Sequence, residues 1–165
     1  AAPAAAQPAW WLALGGLAAV ETGDLDDTLG TEGSGVVGAG LYLARGGPVR
    51  LGLEAEGSGG RVSAALGPAG DDDVTVWRGR VGVRAAWWRP DEGPRLVPYV
   101  RGGGVYRADR GDLVEDEGFG WYVGAGVDVR LGGRWAVGPF VTCEAVTLSV
   151  ETRTVLFGLA VTFSP

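Results

Sequence analysis

The stretch FGWYVGAGVDVRLGGRWAVGPF, from Phe119 to Phe140, alternates apolar residues with glycine, aspartate and arginine, turns within three residues, and alternates again. A period of two sends successive side chains to opposite faces, so each half is a strand with two unlike sides. The same pattern recurs in eight segments, near 10–20, 35–45, 49–57, 74–89, 96–107, 118–131, 135–148 and 153–163. No stretch carries a convincing helical period. Successive two-faced strands separated by turn signals make an all-β, up-and-down antiparallel meander. Eight such strands suit closure into a barrel.

The connections are of two kinds. Gly46-Gly47-Pro48, Pro90 to Arg95 and Gly132-Gly133-Arg134 are tight. They alternate with longer polar segments near 21–34, 58–73 and 108–117, plus a shorter link near 149–152. Short turns at one end and longer loops at the other are how outer-membrane barrels are built.

Alternation alone does not say which face is inside. In one strand Trp121, Val123, Ala125, Val127, Val129 and Leu131 oppose Tyr122, Gly124, Gly126, Asp128 and Arg130. Two features put the apolar face in lipid. The polar face is studded with glycine, which weakens an exposed strand but suits a narrow interior where large neighbours interdigitate. The aromatics also sit at strand ends. Trp10, Trp11, Trp87, Trp88, Trp135 and Phe163 adjoin short turns or termini, and Trp77 and Trp121 mark the long-loop ends. Trp77 to Trp87 spans roughly 25 Å for a strand tilted by about 40°, the height of a lipid-facing band between two aromatic girdles. These eight residues are the expected girdle. The longest apolar run, Ala9 to Val20, is too short for a membrane-spanning helix.

The elements PYVRGGGV, GWYVGAGVDVRL, RWAVGPFVTCEAV and a closing strand ending VTF resemble the small outer-membrane β-barrels of OmpA and OmpX type. The resemblance covers about residues 10–163. It implies an eight-stranded antiparallel transmembrane β-barrel in the outer membrane of a diderm bacterium, and a terminal aromatic read by the assembly machinery. Here Ser164 and Pro165 follow Phe163, a small departure. The resemblance does not carry an activity. The domain expectation is an Ala/Pro-rich segment over 1–9, following a signal-peptide cleavage, and the barrel over 10–165. Pro139 cannot donate to a ladder, so a bulge or broken pairing is expected there.

Candidate lumen charges are Arg50, Glu54, Glu56, Arg78, Arg80, Arg84, Arg101, Asp128, Arg130 and Glu144. Charges inside a narrow barrel must be paired or hydrated. They form either a static polar plug, the reading favoured here because eight strands enclose an interior that side chains can fill, or an ion-pair gate over a narrow pore, as the resemblance also suggests. A soluble barrel binding a hydrophobic ligand is a third reading.

No enzyme is expected, because a chain without histidine has no Ser-His-Asp triad. No cofactor or metal is expected either. The single Cys143 forms no internal disulfide and reads as a small apolar strand residue. The formal charge of −6, with no basic run, excludes nucleic acid. Expected partners are outer-membrane lipid and lipopolysaccharide, with other envelope proteins meeting the acidic loops ETGDLDDTLGTE, AGDDDV and ADRGDLVEDEG. Solvated charge is the default reading of these loops, ahead of a divalent-cation site. Arg110-Gly111-Asp112 reads as a chance triplet, and GSGVVG lacks the helix a dinucleotide site needs. The leading function is a structural or anchoring role in the envelope.

Overall fold

The computed structural model describes residues 10–22, 32–44, 48–65, 71–88, 96–113 and 115–165. The expected segment 1–9 lies outside them, as do the turns at 45–47 and 89–95. Eight strands follow one another: β1 (Trp10–Thr22), β2 (Glu32–Ala44), β3 (Val49–Ala65), β4 (Asp71–Trp87), β5 (Leu96–Arg110), β6 (Glu115–Gly132), β7 (Trp135–Thr147) and β8 (Glu151–Phe163). Each pairs antiparallel with its neighbour, and β1 pairs with β8 from Leu12 opposite Phe163 to Thr22 opposite Arg153. Closure leaves no sheet edge, the condition for a sheet to cross hydrocarbon.

The two faces are inverted relative to a water-soluble protein. Leu12, Leu14, Leu41, Leu51, Leu53, Val81, Val83, Phe157 and Leu159 all point outward and are exposed, while Arg50, Arg78, Arg80, Arg84 and Arg107 are buried inside. This disposes of the soluble-barrel reading, since a hydrophobic ligand would enter a lumen lined by arginine and face no apolar cavity. A soluble barrel would also expose its apolar band to water.

Inward glycines make the room. A methyl group on Gly40 would run into the Trp11 ring, and one on Gly158 into Phe140. In the same way Gly126 receives the Tyr99 ring, and Gly82 the Tyr122 hydroxyl. Small residues on one strand thus house large ones from another, and an eight-stranded interior closes.

The β6–β7 turn carries its own backbone requirement, because Gly133 sits at φ 57°, in the left-handed region. Pro139 breaks its ladder on one side only. Gly126 faces Phe140 and Val129 faces Val137, but no pairs form between them, whereas on the β8 side Pro139 stays in register with Leu159.

The strands differ from the sequence expectation at one end of the barrel. β3 runs to Ala65 rather than to 57, β4 starts at Asp71 rather than 74, and β6 starts at Glu115 rather than 118. The long-loop side is therefore built of hairpins that continue the ladder past the lipid-facing band.

Candidate functional site

The lumen is the place where polar chemistry converges. In the half nearer the long loops, β4 aims Arg78 and Arg80 across the barrel at Glu144 on β7. Arg78 also holds Glu32 at 2.6 Å, and Arg80 reaches Glu56. Glu56 receives Arg101 at 2.6 Å, and Arg101 donates further to Thr142 at 2.7 Å. Glu54 accepts a 2.9 Å bond from the Tyr122 hydroxyl. One network thus ties β2, β3, β4, β5, β6 and β7 together. A second cluster lies beside it: Arg107 holds Glu21 at 2.5 Å and Asp109 at 2.7 Å, and bonds Thr154 at 3.3 Å. That cluster brings in β1 and β8. Every charged group of these two clusters is paired, as a low-dielectric interior demands.

Nearer the short turns the chemistry changes. Arg84 pairs with Asp128 at 2.6 Å, and its guanidinium lies 3.5 Å from the centre of the Tyr99 ring and 4.8 Å from that of Trp11. Trp88 is flanked by two cations, Arg50 at 3.7 Å and Arg130 at 4.9 Å. Trp11, Val36, Tyr42, Tyr99, Phe140 and Leu156 pack into one buried cluster around them. Cations over ring faces in a desolvated site gain from the ring quadrupole. This end is filled mainly by stacked rings, with the Arg84–Asp128 pair set among them.

All ten charged positions expected in the lumen lie on its wall. Glu54, Glu56, Arg78, Arg80, Arg101 and Glu144 gather in the loop-side network, and Arg50, Arg84, Asp128 and Arg130 in the turn-side stack. The sequence reading missed Glu21, Glu32 and Asp109 because its strands stopped short of them, and passed over Arg107 at the last position of its 96–107 segment. The signal was parity: Arg107 and Asp109 continue the inward face of Arg101 and Val105.

Among the girdle residues, Trp10, Trp77, Trp87, Trp121 and Trp135 are exposed to the outside. Phe163 meets Trp135 at 5.0 Å and Trp10 at 5.8 Å between ring centres. Trp11 and Trp88 are corrections. Trp11 is only 4% exposed and Trp88 lies against the internal cluster, so neither belongs to an outer girdle. Adjacent strand residues face opposite ways, so one member of each Trp-Trp pair had to turn inward.

Among the described residues the lumen holds seven arginines (Arg50, Arg78, Arg80, Arg84, Arg101, Arg107, Arg130) and seven carboxylates (Glu21, Glu32, Glu54, Glu56, Asp109, Asp128, Glu144). These described charges balance, so the formal charge of −6 belongs to the remaining residues of the sequence. In the sequence, the remaining charged residues divide into eleven carboxylates and three arginines in or beside the long connections, against two carboxylates and four arginines in or beside the short ones. Arg110 of the Arg-Gly-Asp triplet is folded back onto Glu117 at 2.7 Å and Glu115 at 3.6 Å. Among the described residues no three His, Cys, Asp or Glu side chains converge on a metal position.

Residues 1–163 match the family described as outer membrane protein beta-barrel domain. The chain belongs to this family. Its solved structural neighbours agree on the fold. Neisserial surface protein A is 15% identical, with 95% of this chain and 97% of that one covered at a TM-score of 0.64. OprG from Pseudomonas aeruginosa is 13% identical, with 96% and 98% covered at 0.65. Ail, the attachment invasion locus protein of Yersinia pestis, is 12% identical, with 93% and 97% covered at 0.59, in a complex with the heparin analogue sucrose octasulfate. At these identities the likeness speaks for the fold. No curated protein matches the chain. Family membership places this barrel in the bacterial outer membrane, with its short turns toward the periplasm and its long loops toward the exterior.

Proposed function

We propose that the protein is a closed outer-membrane anchor, non-catalytic, which displays an acidic surface to the exterior and engages envelope partners of opposite charge. The observation that carries this reading is the filled lumen, with a ladder of arginine–carboxylate pairs in one half and stacked rings in the other. A filled interior supports display over transport. The eleven-to-three excess of carboxylates at the loop end gives that surface its sign. Ail's solved complex contains a sulfated ligand. The acidic rim here disfavours such a polyanion and suits cationic polypeptides, with lipid and lipopolysaccharide as the surrounding contacts.

Planar-bilayer recording tests the closed lumen directly. The expected trace shows no conductance above leak. Discrete steps that disappear on neutralising the Arg80–Glu144–Arg78 bridge would establish the narrow gated pore instead.

A further inference from the structure

The turn-side mouth of the lumen holds a cavity of about 20 Å³, room for one water molecule or one monatomic ion. Its polar lining is Tyr42 of β2, Asp128 and Arg130 of β6, Thr162 of β8 and Ser164 just beyond, with Trp88 beside them. Tyr42, Thr162 and Ser164 are buried. The Ser164 backbone N–H donates to the Arg134 carbonyl at 2.8 Å, but among the described residues the three hydroxyls donate to no protein group. A buried hydroxyl without an acceptor is costly, and interiors rarely leave one so. Three of them around a space of this size call for an acceptor inside it.

Charge decides what kind of acceptor fits. Asp128 is matched by Arg84 at 2.6 Å, so its charge is already met. Arg130 is a second guanidinium at the cavity. It gives one N–H to the Gly133 carbonyl at 2.9 Å and lies 4.9 Å from the centre of the Trp88 ring, yet it pairs with no described carboxylate. With Arg50 left aside, two guanidinium groups thus meet one carboxylate here. The Trp88 face favours a cation but brings no countercharge. A water molecule would accept from the hydroxyls and leave the excess charge standing. A metal ion would add to it. A small anion answers both demands, because it accepts O–H and N–H donors and supplies the missing charge. Phosphate and sulfate are too large for the room available.

We propose that this cavity is a chloride site, in which the ion accepts hydrogen bonds from Tyr42, Thr162 and Ser164 and offsets the charge of Arg130. The bound ion joins β2, β6 and β8 across the mouth and so helps hold the turn-side plug in place. The site does not rest on the anchor reading, since the lumen above can conduct or stay closed with these donors unchanged.

Urea unfolding of the full chain in detergent, followed by the heat-shifted gel band, tests it in sodium chloride against sodium gluconate at equal ionic strength. Gluconate is too large to enter. The midpoint should be higher in chloride and level off as chloride rises, the mark of a site that fills. Chloride at about ten times its dissociation constant should raise the folding equilibrium constant about tenfold. Thr162→Val/Ser164→Ala keeps the shape but removes two donors, and should unfold at the same midpoint in both salts. Bromide soaked into crystals of the unmodified barrel should give an anomalous peak among Arg130, Thr162 and Ser164, a readout that needs no variant to fold. Equal midpoints for the unmodified barrel, the result for an ordered water alone, overturn the proposal. So does a rise that never saturates, a chloride preference retained by the double variant, or the absence of a bromide peak at the cavity.

Discussion

In the loop-facing half of the lumen four arginines meet six carboxylates, whereas in the turn-facing half Arg84 pairs with Asp128 and lies over Tyr99 and Trp11 while Arg50 and Arg130 flank Trp88. Both halves bury guanidinium groups in the same narrow tube, yet they stabilise them differently. Carboxylates neutralise charge and do so at the cost of desolvating a second ion. Rings bring no countercharge but add packed volume and a favourable face. The lumen is neutral as a whole and polarised along its length, anionic toward the exterior and cationic toward the periplasm. The remaining charges of the sequence divide in the same sense between the long and the short connections. An ion-paired half should be intolerant of single deletions, while an aromatic half should degrade gradually.

The largest expected effect follows from that difference. Glu144→Leu removes the carboxylate shared by Arg78 and Arg80, leaves each with one remaining partner, Glu32 or Glu56, and should cost about 3 kcal/mol, read as a lower urea midpoint for the heat-shifted gel band. Trp88→Leu removes a ring shared by Arg50 and Arg130 but leaves Arg84–Asp128 intact, and should cost about 1–2 kcal/mol. Equal losses for the two variants would break the distinction between the halves.

The smallest effect belongs to the solvated clasp above them. The backbone N–H of Ser149 donates to Asp116 at 2.8 Å and holds that carboxyl below its usual range. A bond from Arg110, followed by one from Tyr106, does the same for Glu117. A carboxyl depressed on folding stabilises above its unfolded value of about 4 and loses that contribution as pH falls through the lower folded value. The Ser149 amide resonance should therefore hold steady down to pH about 4 and move only below it, with no shift in the unfolding midpoint between pH 8 and 5. A midpoint that falls across that interval would mean that the lumen pairs, rather than the clasp, set the acid response.

The eight strands and their lipid-facing residues were legible in the sequence because a period of two is enforced at every position of a closed sheet. The hairpin ends were not. Gly57-Ser58-Gly59-Gly60 reads as a turn by composition, but its backbone is satisfied on both sides, by β2 and by β4. Ending β3 there and starting β2 at 35 hid the continuation of the barrel wall and, with it, Glu32, the partner of Arg78. The inward aromatics were missed for a different reason. Strand-end tryptophan suggests an interface, and only the parity of Trp10-Trp11 and Trp87-Trp88 separates the ring that meets lipid from the ring that plugs the tube.

The seam between β1 and β8 carries a consequence for biogenesis. Leu12 and Phe163 are partners across nearly the entire chain, so the pairing that removes the last open edges joins the two most distant segments in the sequence. Such a contact forms late, because its loop-closure entropy is offset only when everything between is in place. Until then β1 and the newest strand are sticky templates for other chains. A ribosome-bound or truncated product lacking β8 is thus an aggregation hazard rather than a smaller barrel, and the cell must keep the polypeptide unfolded until all eight strands reach the membrane together.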